Sequence, residues 1–300
     1  MVRRWTPDGH PAGDMDSCLE KVRGREIRMK VFTFWEPREC LPGYIRLCLR
    51  TWERYLSDGE IVVLDDSTIG QWVPQSVVDG VTVRCEKMTL PKQADVYRAL
   101  VLERHGGVWL DADTIITPKF ASSGILSGPR SEAVFFGTRG HGVPNLLSGA
   151  FVWADPHAEI VYRWAMEAVR RVSVFAGFAR NPLLRAFRRS EWRRVRSWNF
   201  FLNDILDPMI AEVPSEKLRL LDLHEFGVFP HGQAEGCRSW DRYQEFYFKP
   251  GDLMCALDYT QGLIMLQNSW TPSEFRAMDE RTFLSQDVRL ASILRELLKD

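Results

Sequence analysis

The sequence predicts an α/β fold built on a single open sheet. Short apolar runs rich in β-branched and aromatic residues alternate with segments whose apolar residues recur at helical spacing, and the connections are short. Strands that alternate with helices form a layered sheet with helices on its faces. With 300 residues, 45% of them hydrophobic, the chain can bury a large core. We expect a loose lead-in over residues 1–28 and one extended domain over residues 29–300.

The first half of that domain can be assigned element by element. Apolar runs predict strands at Lys30–Trp35, Ile61–Leu64 and Val81–Cys85. After the break at Pro42-Gly43, residues Tyr44–Leu56 show the apolar spacing of an amphipathic helix.

A second helix and a central strand follow. The helix begins near Pro91, which suits a first helical turn, and ends at Gly106 and Gly107, which suit a helix C-terminus. A short strand over Val108–Leu110 comes directly after these glycines.

The second half contains further strands, a helical insertion at about residues 160–210 and a closing helix. The predicted strands are Ala133–Phe136, Phe151–Trp153 and Leu263–Gln267, and the predicted closing helix is Thr282–Leu298.

Composition excludes several classes of protein. No run approaches 18 consecutive apolar residues, and the basic N-terminal residues are followed by no apolar run, so we expect neither a membrane span nor a secretory leader. The six cysteines are scattered without a CxxC pair or a zinc-like spacing, which favours a reducing, cytoplasmic compartment. A net charge of -1 argues against a nucleic-acid partner.

Positive charge is concentrated in residues 163–196. This segment has ten arginines and two glutamates, a local charge of +8, and the arginines are interleaved with Trp, Phe and Leu. One interpretation is an amphipathic segment that lies on an anionic membrane surface, peripheral to the inner face of the membrane. The other is a solvated helical hairpin whose arginine stems cover the core.

Two acidic residues follow the predicted central strand. In GGVWLDADTII, Asp111 and Asp113 are two positions apart, so in an extended chain their side chains would point to the same side. They would lie at the edge of the sheet where ligands bind in open α/β folds. Two close carboxylates repel each other unless a cation bridges them. Mg²⁺ and Mn²⁺ prefer such oxygen ligands and complete their shells with substrate phosphates.

The run QADVYRALVLERHGGVWLDADT resembles the DxD region of sugar-nucleotide glycosyltransferases. It is most similar to the family of capsular-polysaccharide synthesis proteins and yeast-type initiating mannosyltransferases (glycosyltransferase family 32-like), and distantly to clostridial toxin glucosyltransferases. The residues that carry the resemblance are Asp95, Arg98, Gly106, Gly107, Trp109, Asp111 and Asp113. The resemblance is specific over residues 30–118, weaker over 130–160 and thin over 160–260. It implies a GT-A fold with a single Rossmann-like nucleotide-sugar-binding sheet.

Near the C-terminus, Ser269 and Trp270 resemble the family's Ser-Trp pair, although LIMLQNSW lacks the histidine that often precedes it. Thr271–Glu274 has the pattern of a capping box with Pro at the first helical position, which would put Ser269 just ahead of a helix N-terminus that favours phosphate. We therefore expect Asn268, Ser269 and Trp270 to close over a metal-bound diphosphate. The alternative is a capped helix that touches no ligand.

The resemblance also implies roles for single residues. Asp95 and Arg98, one helical turn apart, would bind the hydroxyls of the donor sugar; otherwise they form a surface ion pair. Asp113 would ligate the metal directly, and Asp111 would contact the ribose and the metal. Trp35 would stack on the nucleotide base, or is otherwise a core residue.

The implied reaction is a metal-dependent transfer of a hexose-type sugar to a hydroxyl of a glycan or a lipid-linked glycan in polysaccharide biosynthesis. A UDP-sugar is the favoured donor and GDP-mannose the alternative, with Mn²⁺ or Mg²⁺ held by Asp111, Asp113 and Ser269. The family transfers with retention, and we expect attack on the same face as the leaving group. Asn203 and Asp204 are candidates for the sugar and acceptor side.

Two other classes of protein fit parts of the sequence. VWLDADTII also fits an aspartate-nucleophile (HAD-like) phosphatase, and Gly251-Asp252 with Asp258 imitates the acidic element of that family. The chain could also be a non-catalytic adaptor that binds membranes through its basic segment. The residues around the DxD motif favour the transferase.

Overall fold

The fold is that of a computed structural model, which describes residues 29–83, 88–126, 131–137, 147–210, 212–222, 240–251 and 262–299. The predicted lead-in, residues 1–28, lies outside these ranges. The division into a lead-in and one domain therefore stays a prediction.

Six strands of the described residues form the central sheet, in the order β2-β1-β3-β6-β5-β7. Five strands run in the same direction and β6 runs opposite to them. β4 and β8 form a separate antiparallel pair. The strands are β1 (Met29–Phe34), β2 (Gly59–Leu64), β3 (Gly107–Leu110), β4 (Thr114–Ile116), β5 (Ala133–Gly137), β6 (Leu147–Ala154), β7 (Leu218–Asp222) and β8 (Leu263–Met265).

Helices lie on both faces of this sheet. The side chains of its strands, which point alternately to the two faces, are therefore buried on both sides. The helices are α1 (Gly43–Tyr55), α2 (Gln75–Val81), α3 (Leu90–His105), α4 (Pro118–Ala121), α5 (Glu159–Arg180), α6 (Pro182–Phe187), α7 (Arg189–Val195), α8 (Asn203–Ile210), α9 (Trp240–Tyr247), α10 (Ser273–Arg276), α11 (Glu280–Leu284) and α12 (Arg289–Leu297). Phe32 and Trp109 point into a core shared with α3 and α5. Their neighbours Val31 and Val108 point into a core shared with α1 and the β4–β8 pair. The predicted α/β class, including a helical segment from α5 to α8, is confirmed.

The turn between α3 and β3 depends on its two glycines. Gly106 and Gly107 have φ angles of 60° and 95°, which L-residues with side chains rarely adopt. A Cβ on Gly107 would lie 2.4 Å from the carbonyl oxygen of Lys30. These glycines therefore allow β3 to start beside β1 immediately after the helix ends.

Two predicted elements are wrong. Val81 ends helix α2 rather than starting a strand at Val81–Cys85, and residues 84–87 lie outside the described ranges. Val77 and Val81, spaced as helical neighbours, are both buried, because α2 packs against α5. The predicted closing helix Thr282–Leu298 is two helices, α11 and α12, separated at residues 285–288.

The arginine-rich segment packs on the core and also has an exposed part. α5 buries Trp164, Val172, Phe175 and Phe178, so most of its apolar residues are core residues, as the hairpin interpretation expects. In α6, by contrast, Leu183 is 68% exposed and Phe187 is 86% exposed. Among the described residues, no helix combines the length and the apolar character that crossing a bilayer requires.

Candidate active site

A cleft of about 580 Å³ opens at the edge of the sheet where β1 and β3 end. Because β1 and β3 are parallel neighbours, the residues that follow them meet there. Helix α3, the start of β6, the segment 198–203 and the turn after β8 complete its walls. The predicted site residues that line it are Trp35, Asp95, Arg98, Asp111, Asp113, Asn203, Asn268 and Ser269.

Asp111 is held by one of its two carboxylate oxygens. Its Oδ1 accepts a 2.7 Å hydrogen bond from Nη2 of Arg98 and a 3.0 Å hydrogen bond from Nε1 of Trp109. Trp109 and Asp111 are two residues apart at the end of β3, so they lie on one side of the chain. The Asp111 side chain remains 37% exposed, which leaves it accessible to a ligand in the cleft.

Arg98 links this aspartate to a second acid on its own helix. Its Nη1 lies 3.2 Å from Oδ1 of Asp95, and its side chain is only 3% exposed. The guanidinium also lies 5.0 Å from the centre of the Trp109 ring. Burial raises the pKa of Asp95 to about 7, and the positive charge of Arg98 opposes that rise. Asp95 and Arg98 form a buried pair rather than the surface ion pair of the alternative interpretation.

Asp113 is the buried acid of the DxD motif. Its Oδ2 accepts a 2.9 Å hydrogen bond from the backbone N–H of Asn268. Burial, followed by the negative charge of Asp111, raises the pKa of Asp113 to about 7. A cation between the two carboxylates would relieve both effects.

The turn that carries Asn268 is fixed from the opposite side by Tyr44 of α1. The Tyr44 hydroxyl donates a 2.5 Å hydrogen bond to Oδ1 of Asn268. Burial and the charge of Asp113 raise the pKa of Tyr44 far above its usual value, so this hydroxyl stays protonated and acts as a donor. No local pattern in the chain indicates this role, because the two residues are 224 positions apart.

Gly149 of β6 is a second residue that sequence reasoning missed. A Cβ at this position would lie 1.7 Å from Nη1 of Arg98 and 2.9 Å from Cδ2 of Leu202. The absence of a side chain therefore lets the guanidinium lie against β6, within reach of both Asp95 and Asp111.

Some predicted site residues lie elsewhere. Trp270 and Asp204 do not line the cleft. The Trp270 ring packs against Tyr243 at 5.8 Å, and the backbone oxygen of Asp204 accepts a 3.0 Å hydrogen bond from Arg171. Asn268–Trp270 forms a 3-10 turn, in which Ser269 is exposed.

The predicted capping box is wrong. Helix α10 begins at Ser273 after Pro272, and it has no side-chain cap. The Thr271 hydroxyl instead lies 3.0 Å from the hydroxyl of Tyr243 and donates to the carbonyl of Gln267 at 3.3 Å. Because α10 is a single turn that starts four residues after Ser269, its N-terminus does not support the predicted phosphate contact.

The residues present fit a metal ion that shares its ligands with a substrate. Within the described ranges, His, Cys, Asp and Glu form no group of three or more that could hold a metal ion. Two carboxylates and the nearby Ser269 would leave positions for diphosphate oxygens and water, as is usual for Mg²⁺ sites.

A phosphatase of the aspartate-nucleophile class needs a lysine beside its acids. No lysine is among the described residues that line the cleft. The acidic element expected at Asp252 and Asp258 lies outside the described residues.

Several glycosyltransferase structures are similar to this chain. One is involved in glycosylation of the major capsid of PBCV-1 (13% identity, 65% of this chain and 81% of that chain, TM-score 0.38). Others are GlyE of Streptococcus pneumoniae TIGR4 (12% identity, 91% and 61%, TM-score 0.45) and the PaToxG glycosyltransferase (15% identity, 64% and 81%, TM-score 0.33). Structural similarity with TM-scores below 0.5 and 12–15% sequence identity carries no conclusion about the activity of this chain.

The sequence has no significant match among curated proteins. Over residues 16–138, which include Asp95, Arg98, Asp111 and Asp113, the chain matches the sequence model of the family described as capsular polysaccharide synthesis protein.

Proposed function

We propose that the protein is a metal-dependent glycosyltransferase with a GT-A fold, which transfers a hexose-type sugar from a nucleotide diphosphate sugar to a hydroxyl of a glycan or lipid-linked glycan. The observation that carries the proposal is the pair of DxD acids in one cleft, with Asp113 buried and its pKa raised to about 7. The match of residues 16–138 to the capsular polysaccharide synthesis family supports it.

Asp111 and Asp113, with Ser269, would hold Mn²⁺ or Mg²⁺. When bound, this ion would act as a Lewis acid that stabilises the negative charge on the departing diphosphate. Asn268 keeps Asp113 oriented through its backbone N–H, so that the carboxylate is preorganised before the donor arrives.

The remaining residues would bind and orient the donor. Asp95 and Arg98 would hydrogen-bond the sugar hydroxyls, and half-buried Trp35, at the end of β1, would stack on the base of a UDP-sugar or, alternatively, GDP-mannose. The acceptor oxygen would form the new bond to the anomeric carbon as the sugar–diphosphate bond breaks. Its proton would pass to the leaving phosphate oxygen, on the same face, which gives retention.

The α6–α7 surface supports a peripheral contact with an anionic membrane at its cytoplasmic face. Phe187 and Leu183 are the apolar part of this surface, and Arg189, Arg193 and Arg194 are exposed beside them in the chain. Apolar side chains within a cluster of positive charge are typical of segments that lie at the headgroup level. Such a contact would bring the cleft to a lipid-linked acceptor.

The decisive experiment measures thermal stability and donor hydrolysis with UDP-sugars and GDP-mannose, with and without Mn²⁺. We expect one donor to raise the Tm only when Mn²⁺ is present, because a ligand that binds the native state stabilises it. Asp113→Asn should abolish this shift and the hydrolysis without lowering the Tm of the free protein, because the neutral amide removes a buried charge. Asp58→Asn, at an exposed turn, is the matched control. An Asp113→Asn variant with normal hydrolysis would refute the metal site.

A further inference from the structure

The cleft contains an aromatic side chain to which the proposed donor site assigns no role. Trp198 lines the cleft and is 70% exposed. Trp52, Trp109 and Trp164 are by contrast fully buried. A large ring left in water at the wall of a cleft is a common feature of binding sites, since the ring gains contact area only when a ligand covers it.

The backbone that presents Trp198 is fixed by its neighbours. Phe200 and Phe201 follow it in the same 3-10 turn, and both are buried. The carbonyl of Phe201 accepts a 2.8 Å hydrogen bond from Nε1 of Trp164, and the carbonyl of Phe200 accepts one from Arg171. The Trp198 ring therefore projects from a rigid turn, which lowers the entropic cost of binding a ligand against it.

Two carboxamides lie beside the ring. Asn199 lines the cleft, and its side chain makes no hydrogen bond within the described part of the chain. Asn203 donates from Nδ2 to the carbonyl of Leu147 at 3.1 Å, so this amide is oriented with its Oδ1 left to accept. An apolar ring face next to amide groups that donate and accept matches a pyranose, which has an apolar C–H face and hydroxyls at its rim.

The segment 198–203 connects this ring to the proposed sugar-transfer site. Residue 195, three positions before Trp198, accepts a 3.1 Å hydrogen bond from Lys92 in the first turn of α3. At the other end of the segment, Leu202 lies against Gly149 and hence beside Arg98. Lys92 and Arg98 are six residues apart, which is about 9 Å along the helix axis. Trp198 therefore lies in a segment held at one end by the first turn of α3 and at the other end beside Arg98, in the wall of the same cleft.

We propose that Trp198, with Asn199 and Asn203, forms the acceptor subsite, in which the indole stacks on a pyranose ring of the acceptor glycan. This inference rests on the proposed function. The nucleotide base would bind at a different lining residue, Trp35, which follows β1. The subsite favours a pyranose acceptor over a simple alcohol, since a bare hydroxyl offers no ring to cover the indole.

Indole NMR signals of protein labelled with ¹⁵N-tryptophan test this directly. The probes are methyl glycopyranosides of glucose, galactose and mannose in both anomeric forms, and separately UDP with Mg²⁺, which is diamagnetic and does not broaden nearby signals. We expect at least one glycoside to shift the Trp198 indole signal, which Trp198→Phe identifies by its loss, whereas UDP with Mg²⁺ alone leaves it in place. The Trp240 indole, 52% exposed on α9 and outside the cleft, should not move with any probe.

Variants give the second readout. Trp198→Ala should weaken binding of that glycoside by about tenfold or more, Trp198→Phe should restore most of it, and Trp240→Ala should leave it unchanged. Donor hydrolysis and the stabilisation by UDP with Mn²⁺ should stay normal in Trp240→Ala, which lies outside the cleft.

Either of two results would overturn the acceptor subsite: no glycoside shifts the Trp198 indole, or UDP with Mg²⁺ shifts it, which would make it a base-binding residue. A different measurement tests the proposed function itself. If no nucleotide sugar raised the Tm of the wild-type protein in the presence of Mn²⁺, the proposed function would be wrong, whatever the glycosides did.

Discussion

The backbone N–H of Asn268 lies 2.9 Å from Oδ2 of Asp113, although the two residues are 155 positions apart. The carbonyl of Asp113 in turn accepts a 3.0 Å hydrogen bond from the N–H of Leu266, at the end of β8. The acid that would bind the metal is therefore held through both its side chain and its backbone by the C-terminal part of the chain. Changes in the turn after β8 should act on the metal site from outside it.

Removing the Tyr44 hydroxyl tests this coupling. Tyr44→Phe leaves Oδ1 of half-buried Asn268 without its donor, which costs about 0.5–1.5 kcal/mol and loosens the turn that orients Asp113. We expect a weaker apparent affinity for Mn²⁺ in donor hydrolysis. Tyr55→Phe removes a comparable 2.7 Å hydrogen bond, to the carbonyl of Leu297, and should lower stability without changing the Mn²⁺ dependence. Equal Mn²⁺ dependence in the two variants would contradict the coupling.

Adding one methyl group at Gly149 tests the position of Arg98. In Gly149→Ala the new Cβ would lie 1.7 Å from Nη1 of Arg98, so the buried guanidinium must move away from Asp95 and Asp111. Because this disturbs a buried ion pair, we also expect some loss of stability, and kcat/KM is compared well below the Tm of the variant. The contact from Arg98 to Asp111 is lost, and we expect kcat/KM to fall by about tenfold or more, as is typical when a positioned charge is misplaced. Gly177→Ala, in the open on α5, is the control and should stabilise the protein by about 0.5–1 kcal/mol. Full activity in Gly149→Ala would mean that Arg98 does not need its observed position.

The acid dependence of stability should depend in part on Glu167. Hydrogen bonds from Arg170, opposed by partial burial and supported by Arg171, lower the pKa of Glu167 from 4.5 to about 2. A lowered folded-state pKa gives stability that is fully present above the unfolded-state value and is lost as the pH falls from about 4.5 towards 2.

Glu167→Gln should therefore be less stable than the wild type at pH near 7, and the difference should shrink as the pH is lowered below about 4.5, measured by urea unfolding. Glu191→Gln, which removes the exposed partner of Arg188, should change stability little at any pH. A difference between Glu167→Gln and wild type that persists unchanged in acid would show that charge is not its cause.

Vesicle flotation tests the α6–α7 surface. Phe187→Ser combined with Leu183→Ser should reduce binding to vesicles that contain phosphatidylglycerol, because the two exposed apolar side chains would no longer insert. Arg189→Gln with Arg193→Gln should weaken the same binding mainly at low salt. Met166→Ser, 54% exposed on α5, is the matched control and should bind normally. Wild-type protein that fails to float with these vesicles would remove the membrane contact from the proposal.

Local patterns in the sequence predicted the acids of the site, whereas tertiary contacts determined the residues around them. Asp95 and Arg98 are one helical turn apart, so helical periodicity places that pair. Asp111 and Asp113 both line the cleft, but the predicted extended chain is wrong: they lie in a turn that the hydrogen bond from the N–H of Thr114 to the carbonyl of Asp111 closes at 3.0 Å. Gly149 and Tyr44 act through residues 51 and 224 positions away, which no local pattern records.

The wrong predictions have the same physical origin. Val81 is part of a β-branched run, yet its i, i+4 spacing with Val77 serves a helix because α5 lies beside it. Thr271 has the right sequence for a helix cap, but its hydroxyl is engaged by Tyr243 and by the carbonyl of Gln267. In both cases a distant partner overrode the local preference.

A single guanidinium, that of Arg98, touches both Asp95 and Asp111. An engineer who exchanges Asp95 to accept a different donor hexose would also disturb the partner of Asp111. Redesign of donor preference in this scaffold therefore requires compensating changes on β6 or at Trp109, since the two acids cannot be altered independently.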